Sequence, residues 1–300
     1  MDKLSVIILT FNEERHIERC LKSLRQVTNE IFIVDSYSTD RTVAIAEAMG
    51  AKIWQNKFIN YANQFSWALS NLPINSDWVM RLDADEIISP SLAQEIQARL
   101  QSASSDIGGF LLCRYVRFKG AEIRHGGLPH WLLRIWRTGI GEIEQRWMDE
   151  HIVLKSGRIV KMKGAFIDDN LNNITWWTDK HNKYATREVV DLLNQKYNFS
   201  HSDSNTSQLT FQARYKRWLK KTLYSRLPLG TRAFLFFLYR MIFQLGFLDG
   251  KNGFTFHFLQ GFWYRYLVDV KMQEVEKRMC NENITFTEAL QRELGVSSPL

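Results

Sequence analysis

Short apolar runs alternate with amphipathic segments along the first hundred residues of the chain. The runs are rich in β-branched and aromatic residues, as in strands covered on both faces, and they span 4–9, 31–34, 52–54 and 77–82. Apolar residues recur at helical spacing from Ile17 to Leu24, a helix beginning near Arg41 ends at Gly50, and 61–72 also reads as a helix. This alternation predicts an α/β fold with a mostly parallel sheet.

The pattern changes after residue 100. The runs 109–118, 130–136 and 158–162 predict strands of a mixed extension to the sheet, and 176–194 predicts a helix. Residues 198–207 are polar and are typical of a linker. We therefore expect a first domain over 1–195, a linker over 196–210 and a helical extension over 211–300.

Composition and charge sharpen the picture of that extension. The 300 residues carry a net charge of +7, with 45% hydrophobic and 24% charged residues, which is ordinary for a globular protein. Residues 211–278, however, contain 13 Lys and Arg but 4 Asp and Glu, a net charge of +9. The three cysteines are far apart, which argues against a zinc site or disulfide framework and favours a reducing compartment. The charge asymmetry indicates a polyanionic or membrane partner.

The basic segment is also aromatic. Its apolar stretches, 233–239 and 254–270, are interrupted by polar residues, and neither is long and clean enough for a confident membrane span. Amphipathic helices in the interface of an anionic membrane fit better. The alternative is a helical pair packed wholly against the first domain. A nucleic-acid surface is disfavoured because the apolar blocks are too hydrophobic for one.

Polar clusters follow three of the predicted strands. They are Thr10-Phe-Asn-Glu13, Asp35-Ser-Tyr-Ser-Thr-Asp40 and Asp83-Ala-Asp-Glu86. Each alone could be a turn or helix cap, and Thr10 and Glu13 have capping-box spacing. Ligands of open α/β sheets bind beyond the carboxyl ends of strands, so the three together indicate a nucleotide pocket. Glycine-rich phosphate loops are missing from the sequence, so a divalent metal would have to neutralise a diphosphate there.

The motifs Ser-Val-Ile-Ile-Leu-Thr-Phe-Asn-Glu-Glu, Ile-Val-Asp-Ser-Tyr-Ser-Thr-Asp-Arg-Thr and Arg-Leu-Asp-Ala-Asp-Glu resemble those of family 2 glycosyltransferases of the GT-A fold. The resemblance covers roughly residues 4–195. It is strongest to bacterial enzymes of lipopolysaccharide-core and surface-polysaccharide assembly, which often carry a stretch like 246–254. It implies a Rossmann-like nucleotide-diphospho-sugar transferase domain, with a C-terminal helical extension that associates with membranes.

The resemblance also implies roles for individual residues. The implied nucleotide-sugar-binding residues are Thr10, Asn12, Glu13, Asp35, Ser38, Asp40 and Asp83. Asp35 would accept a hydrogen bond from the base, and Ser38 or Asp40 would support its loop. Asp83 would lie near the ribose and the metal-bound phosphate. Asp85, with Asp83 beside it, would bind Mg²⁺ or Mn²⁺.

Family members that invert the sugar need a carboxylate as general base. Met148-Asp149-Glu150-His151 follows the predicted extension strands and departs somewhat from the His-Glu or Glu-Asp pair that the family often has there. We expect Glu150 to be the base, with Asp149 as the second candidate. The alternative is an exposed acidic turn without a catalytic role.

A second group of candidates lies on the predicted helix 176–194. Its members are Trp176, Trp177, Lys180, His181 and Tyr184, several of which share one face at helical spacing. Flat rings suit sugar faces, so the group could line an acceptor site. The alternative is that these rings pack the helix on the sheet.

The expected function is that of an inverting, metal-dependent glycosyltransferase. The donor would be a nucleotide sugar, most simply a UDP-sugar, and the acceptor a lipid-linked or lipopolysaccharide glycan. The protein would be peripheral or monotopic on the cytoplasmic face of the inner membrane. The alternative is a non-catalytic, membrane-tethered binding protein that keeps the transferase fold.

Overall fold

The computed structural model describes residues 3–144, 150–197 and 228–296. The chain forms two compact units. The first spans Met1–Gln145 and Glu150–Leu171, and the second contains Arg146–Asp149 and Asn172–Leu300. Most of the expected linker 196–210, and residues 211–227 of the expected extension, lie outside the described residues.

Parallel strands form one side of the main sheet. Strands β1 (Leu4–Thr10), β2 (Ile31–Asp35), β3 (Lys52–Gln55) and β4 (Trp78–Arg81) lie in the order β3-β2-β1-β4. Helices α1 (Ile17–Leu24), α2 (Thr42–Ala48) and α3 (Tyr61–Asn71) connect them. Gly50, at φ 79°, follows the end of α2. The predicted parallel α/β unit is confirmed.

The other side of the sheet is mixed. Strands β5 (Glu86–Ile88), β6 (Ile107–Phe118), β7 (Ala121–Ile123), β8 (His130–Arg137) and β11 (Arg158–Asp169) continue it, in the order β4-β8-β6-β11-β5 with β7 beside β6. Strand β11 is parallel to β6, but β8 is antiparallel to both β4 and β6. Helix α4 (Pro90–Ser102) follows β5, and β9 (Gly141–Ile143) pairs with β10 (Ile152–Leu154) in a small second sheet. The expected mixed extension is thus present.

The core of the first unit lies on both faces of this sheet. Val6 and Ile8 of β1 pack in one apolar cluster with α1, while Ile7 packs in a second cluster with α3. Aromatic pairs such as Trp78 with Phe110, with ring centroids 5.2 Å apart, join neighbouring strands. A sheet buried on both faces gives the loops at its edge a rigid base.

The described part of the second unit is helical. It contains α5 (Ile174–Tyr197), α6 (Thr231–Leu238), α7 (Gly250–His257), α8 (Tyr264–Glu282) and α9 (Phe286–Leu294). A π-helical turn, Tyr239–Phe243, continues α6, and a second, Phe258–Trp263, joins α7 to α8. A 3₁₀ turn, Gly246–Asp249, precedes α7.

The boundary between the units differs from the expected division after residue 195. It lies after Leu171, because α5 belongs to the helical unit. Val189 and Leu193 of α5 share one apolar cluster with Val268 and Val275 of α8. The helix therefore buries its apolar stripe against the C-terminal helices.

The helices of the second unit bear on the membrane question. Among residues 3–144, 150–197 and 228–296, single helices are too short or too polar to cross a membrane. The pair Thr231–Phe243 and Gly246–Glu282, bent by 77°, meets the length and composition criteria only when taken together.

Candidate functional site

The carboxyl ends of β1, β2 and β4 meet at one edge of the parallel sheet. Strand β1 lies between the other two, and Thr10 at its end is in register with Asp35 at the end of β2. The chain passes from β1 to β2 on one side and later to β4 on the other, so this edge is a topological switch point. Ligands of open α/β sheets bind at such points. The fold therefore brings the three predicted polar clusters to one edge.

A buried carboxylate organises the first two loops. Asp35 has no exposed surface. Its Oδ1 accepts hydrogen bonds from Thr10 Oγ1 at 2.8 Å and Ser38 Oγ at 2.5 Å, and its Oδ2 accepts one from the Ser38 amide at 2.8 Å. An ionised acceptor strengthens each of these bonds. The carboxylate thus holds the end of β1 against the loop after β2.

Asn12 joins the same two loops from the other side. Its backbone N–H donates a hydrogen bond to Ser38 Oγ at 2.9 Å, and its side-chain Oδ1 accepts one from the backbone N–H of Thr39 at 2.8 Å. Asn12 has φ 55° and Tyr37 has φ 61°, a left-handed conformation that asparagine tolerates better than most residues. Both loops are therefore held in unusual backbone shapes by mutual hydrogen bonds.

The expected capping box of Thr10 and Glu13 is wrong. Helix α1 begins only at Ile17, and Thr10 donates to Asp35 instead. The Glu13 amide donates to Thr42 Oγ1 at 2.7 Å, and the Glu13 carboxylate pairs with His16 Nδ1 at 2.6 Å. The spacing of Thr10 and Glu13 predicted a helix start too early, because the chain first contacts α2 through Glu13 and becomes helical only at Ile17.

Asp40 caps the neighbouring helix. Its Oδ1 accepts from the Thr42 amide at 2.9 Å and from Thr42 Oγ1 at 2.5 Å, while its Oδ2 accepts from the Glu14 amide at 3.1 Å. Burial acts to raise the pKa of Asp40, but these hydrogen bonds lower it below its ordinary value. Asp40 therefore supports the loop that carries Ser38, as expected.

Asp83 lies among positive and hydroxyl groups. Tyr61 donates to its Oδ1 at 2.7 Å, Arg81 Nε lies 3.8 Å from the same oxygen, and Arg134 Nη2 lies 3.5 Å from Oδ2. Burial acts to raise the pKa of Asp83, but Arg134, Arg81 and the Tyr61 hydroxyl hold it well below its usual range. Arg81 also stacks over the Tyr61 ring, 4.1 Å from its centroid. Asp83 is therefore a fixed, ionised carboxylate.

A buried ion pair lies directly behind Asp83. Arg134 of β8 is 3% exposed and Glu86 of β5 is 1% exposed, with Arg134 Nη2 2.6 Å from Glu86 Oε1. The other Glu86 oxygen accepts from the Asp83 amide at 2.9 Å. Burial raises the pKa of Glu86 above its ordinary value, and Arg134 opposes that shift by stabilising the ionised carboxylate. The pair fixes the backbone of Asp83 through Glu86 and its carboxylate through Arg134.

Asp85 is the carboxylate whose surroundings fit a metal. It is partly buried, and its Oδ2 accepts a hydrogen bond from Asn170 at 2.9 Å. Lys and Arg side chains of the described residues make no ion pair with it, unlike Asp83. Hard cations such as Mg²⁺ bind one or two carboxylates and take further oxygens from substrate phosphates and water. The donors present fit that mode.

A cage made only of protein ligands is not found in the described part of the chain. Residues 3–144, 150–197 and 228–296 contain no group of three His, Cys, Asp or Glu side chains arranged to hold a metal ion. The backbone of Asp85 is held by strand β11, because the backbone N–H of Asp169 donates a hydrogen bond to the Asp85 carbonyl at 3.1 Å.

Of the two candidate bases, the structure describes Glu150, whereas Asp149 lies outside the described residues. The Glu150 carbonyl accepts a hydrogen bond from Arg81 Nη1 at 3.4 Å, and Arg81 in turn faces Asp83. The Arg81 side chain therefore bridges the Glu150 backbone and the Asp83 carboxylate. Its assignment as base stays a prediction.

The aromatic group on α5 packs within the helical unit. Trp177 stacks on His181 with ring centroids 3.4 Å apart, and His181 meets Tyr264 of α8 edge-on at 5.7 Å. The Lys180 ammonium lies 4.6 Å from the Trp176 ring centroid and 5.7 Å from that of Tyr184. These contacts favour the packing interpretation, although the partner is another helix and not the sheet.

Sequence reasoning missed several residues that build the site. They are Tyr61, Arg81, Glu86, Arg134 and Asn170. A usable signal existed for Arg134, which lies inside the apolar run of β8, where a buried charge requires a partner. Tyr61 and Asn170 carry no such signal, because both residue types are common at surfaces.

Comparisons with known proteins identify relatives of the chain. The family described as Glycosyl transferase family 2 matches residues 5–157. A glycosyltransferase of Rickettsia typhi, itself uncharacterized, is 30% identical over 210 residues, which are 67% of this chain and 71% of the relative. The lipopolysaccharide core biosynthesis glycosyltransferase LpsC of Rhizobium meliloti is 29% identical over 201 residues, 61% of this chain and 69% of that protein.

Other matches are partial. An uncharacterized glycosyltransferase of Rickettsia conorii is 43% identical over 105 residues, and the chain covers 36% of its length. The crystal structure of glucosyl-3-phosphoglycerate synthase from Mycobacterium tuberculosis, in complex with Mn²⁺, UDP and glucosyl-3-phosphoglycerate, is 24% identical. It matches 38% of this chain and 44% of that one, with a TM-score of 0.31. On the strength of the family match over about half of its residues, the chain belongs to glycosyltransferase family 2.

Proposed function

We propose that the protein transfers a sugar from a UDP-sugar to a hydroxyl group of a lipid-linked or lipopolysaccharide glycan, with inversion at the anomeric carbon. The observation that carries the proposal is the meeting of three polar strand ends, at Thr10, Asp35 and Asp83, at the switch point of the sheet. Membership of glycosyltransferase family 2 supports the same activity.

The loops after β1 and β2 would hold the nucleoside. Thr10, Asp35 and Ser38 are already linked by hydrogen bonds, so little order has to be gained when the base binds. Asp83, held by Tyr61, would face the ribose and diphosphate. The preformed loops explain how a pocket without a glycine-rich phosphate loop can still select a nucleotide.

Asp85 and the diphosphate oxygens would hold Mg²⁺ or Mn²⁺, which when bound acts as a Lewis acid and offsets the charge on the departing UDP. The Asn170 amide and the backbone of Asp169 hold Asp85 in place, so that its carboxylate would need little reorganisation to bind the cation.

Glu150 would act as the general base, with Asp149 as the alternative. As the acceptor oxygen attacks the anomeric carbon, its proton passes to the carboxylate while the bond from carbon to diphosphate oxygen breaks. A positioned carboxylate typically contributes about 10²–10⁴-fold to such a step. Arg81, which contacts both the Glu150 carbonyl and Asp83, couples the position of the base to that of the donor.

The acceptor and location follow from the C-terminal part and from the relatives. LpsC acts in lipopolysaccharide core biosynthesis, and its similarity extends over 61% of this chain. Residues 211–278 carry a net charge of +9, from 13 Lys and Arg against 4 Asp and Glu, which suits an anionic membrane surface. The protein would therefore work as a peripheral or monotopic enzyme on the cytoplasmic face of the inner membrane.

A nucleotide-binding experiment tests the core of this proposal. Binding of UDP, GDP, CDP and dTDP is measured by titration calorimetry with Mn²⁺ and with EDTA, alongside release of UDP from UDP-sugars. We expect UDP to bind best and Mn²⁺ to tighten its binding, with the metal effect lost in Asp85→Asn. Asp77→Asn, an exposed aspartate at the opposite end of β4, is the matched control.

The outcomes separate the parts of the proposal. Preference for another nucleotide would reassign the donor. Full turnover in EDTA would overturn the metal, and binding without turnover of any nucleotide sugar would favour a non-catalytic role. An equal loss in Asp77→Asn would show that the Asp85→Asn effect is not local.

A further inference from the structure

The second unit carries most of the exposed apolar surface of the protein. Among the described residues, eleven of the nineteen exposed large hydrophobic side chains lie between Phe234 and Tyr266. We call residues 231–263, which comprise α6, the bend and α7 with its π-helical continuation, the elbow. Exposure peaks at the bend, where Ile242 is 55% and Phe243 77% exposed.

The bend itself has a nonpolar rim. Leu245, Phe247 and Leu248 follow Phe243 and are 47%, 55% and 56% exposed. Leu245 has φ 57° and Gly250 φ 63°, so the chain turns sharply between the two helices. Monomeric soluble proteins rarely expose an apolar patch of this kind without covering it.

The interior of the elbow holds ionisable side chains beside apolar ones such as Phe237 and Phe256. Arg232 and Arg240 are 7% exposed, and His257 has no exposed surface. Arg232 pairs with buried Asp269, with Nε 2.8 Å from Oδ1, and His257 Nε2 lies 3.7 Å from Asp249 Oδ2. A helix pair in water places its apolar side inward and its charges outward. The elbow departs from that order, because it buries Arg232, Arg240 and His257 while it exposes large apolar side chains. Membrane-embedded helices do the same, since their ionisable groups face the protein interior.

Charge and length point to one leaflet of an anionic bilayer. Residues 211–227, which lead into the elbow, contain six Lys and Arg and no Asp or Glu, and exposed Lys251 follows the bend directly. Residues 231–243 are 13 in number and rise about 20 Å at about 1.5 Å per residue. That is less than the roughly 30 Å hydrocarbon core of a bilayer.

We infer that the elbow is a monotopic anchor. Residues 242–248 enter the acyl region of one leaflet, Lys251 meets anionic headgroups, and the Arg232–Asp269 pair stays buried inside the helical unit. This inference rests on the proposed membrane location but not on the proposed sugar transfer. The protein would then be held by insertion of apolar side chains into the bilayer, and not only by electrostatic attraction to its surface.

Vesicle flotation of the full-length protein tests the anchor. With vesicles of phosphatidylcholine and phosphatidylglycerol, we expect binding that persists largely in 1 M NaCl. Phe243→Glu and Leu248→Glu should each weaken it at least tenfold, because each removes the burial of a large apolar side chain. Ile59→Glu, an equally exposed apolar residue of the first unit, should bind as the wild type does.

A second measurement guards against misfolding of these variants. Phe243→Cys in a Cys280→Ser background carries a fluorophore at the bend, since Cys20 and Cys113 are buried. Quenching by lipids labelled deep in the acyl chain should exceed quenching by headgroup labels. Complete release by 1 M NaCl, headgroup-level quenching, or unchanged binding of both Glu variants would overturn insertion. A lipid-free dimer that Phe243→Glu dissociates, without vesicle binding by the wild type, would assign the surface to a second copy instead.

Discussion

Replacing Asp35 by asparagine probes the nucleotide loops most directly. The buried carboxylate accepts three hydrogen bonds, two at Oδ1 and one at Oδ2. An Asn side chain keeps one acceptor oxygen, but its amide group then faces a donor, either the Ser38 amide or the two hydroxyls. The substitution therefore removes at least one charge-assisted bond and weakens the others.

The size of the effect can be worked out bond by bond. A hydrogen bond to a charged group contributes about 1.5–3 kcal/mol, and the bonds that remain weaken by roughly 0.5 kcal/mol each as the charge disappears. Asp35→Asn should lower the free energy of unfolding by about 2–4 kcal/mol. UDP affinity should fall as well, because Ser38 also holds Asn12 in the first loop.

Urea unfolding followed by tryptophan fluorescence, together with titration of UDP, measures both effects. Asp77→Asn is the control, since the same chemical change at an exposed side chain should shift stability by less than about 0.5 kcal/mol. Equal, small shifts for the two variants would refute the role given to the Asp35 carboxylate. Loss of stability with unchanged UDP affinity would show that the loops do not hold the nucleotide.

Three further predictions concern the base, the buried pair and pH. Glu150→Gln should lower kcat about 10²-fold or more in steady-state assays, with UDP affinity unchanged. If Asp149→Asn is inactive and Glu150→Gln is active, the general base is Asp149 and not Glu150. Arg134→Met leaves Glu86 buried without its partner and should destabilise the protein by about 3–5 kcal/mol in thermal unfolding; if adding Glu86→Gln restores nothing, the pair is not coupled. Burial, opposed by a hydrogen bond to a backbone carbonyl, lowers the pKa of His181 from 6.5 to about 4. As the pH falls, the unfolded chain therefore binds a proton at His181 before the folded chain does. The free energy of unfolding should decrease between pH 6.5 and pH 4, by about 2 kcal/mol at pH 5. His181→Gln should abolish this loss when unfolding is measured at pH 6.5 and at pH 5.

The parallel half of the fold and the edge that carries the site follow from the sequence. Buried parallel strands give continuous apolar runs, and polar clusters at their ends stand out against them, as at Thr10, Asp35 and Asp83. The supporting residues do not follow, because Arg134 reaches Asp83 only through the pairing of β4 with β8, about 50 positions along the chain. Local patterns carry no information on such pairings.

The helical unit shows a different limit. Its net charge suggests helices whose cations face lipid, yet Arg232 and Arg240 are buried while rings such as Phe243 are exposed. Hydrophobic periodicity predicts that a helix has an apolar and a polar face, but it does not predict which of the two faces is exposed in the folded protein. That choice depends on packing partners such as Asp269, 37 positions away from Arg232.

The limits of the family match and of the folded unit do not coincide. The match ends at residue 157, and β11 begins at Arg158. Yet β11 lies between β6 and β5 in the sheet, and Asp169 and Asn170 hold Asp85 in place. A chain cut after residue 157 would lose an interior strand, open one edge of β6, leave β5 without a partner strand, and remove the contacts of Asp169 and Asn170 with Asp85. The segment matched by the family is therefore not an autonomous folding unit, and an exchange of it between relatives has to include β11.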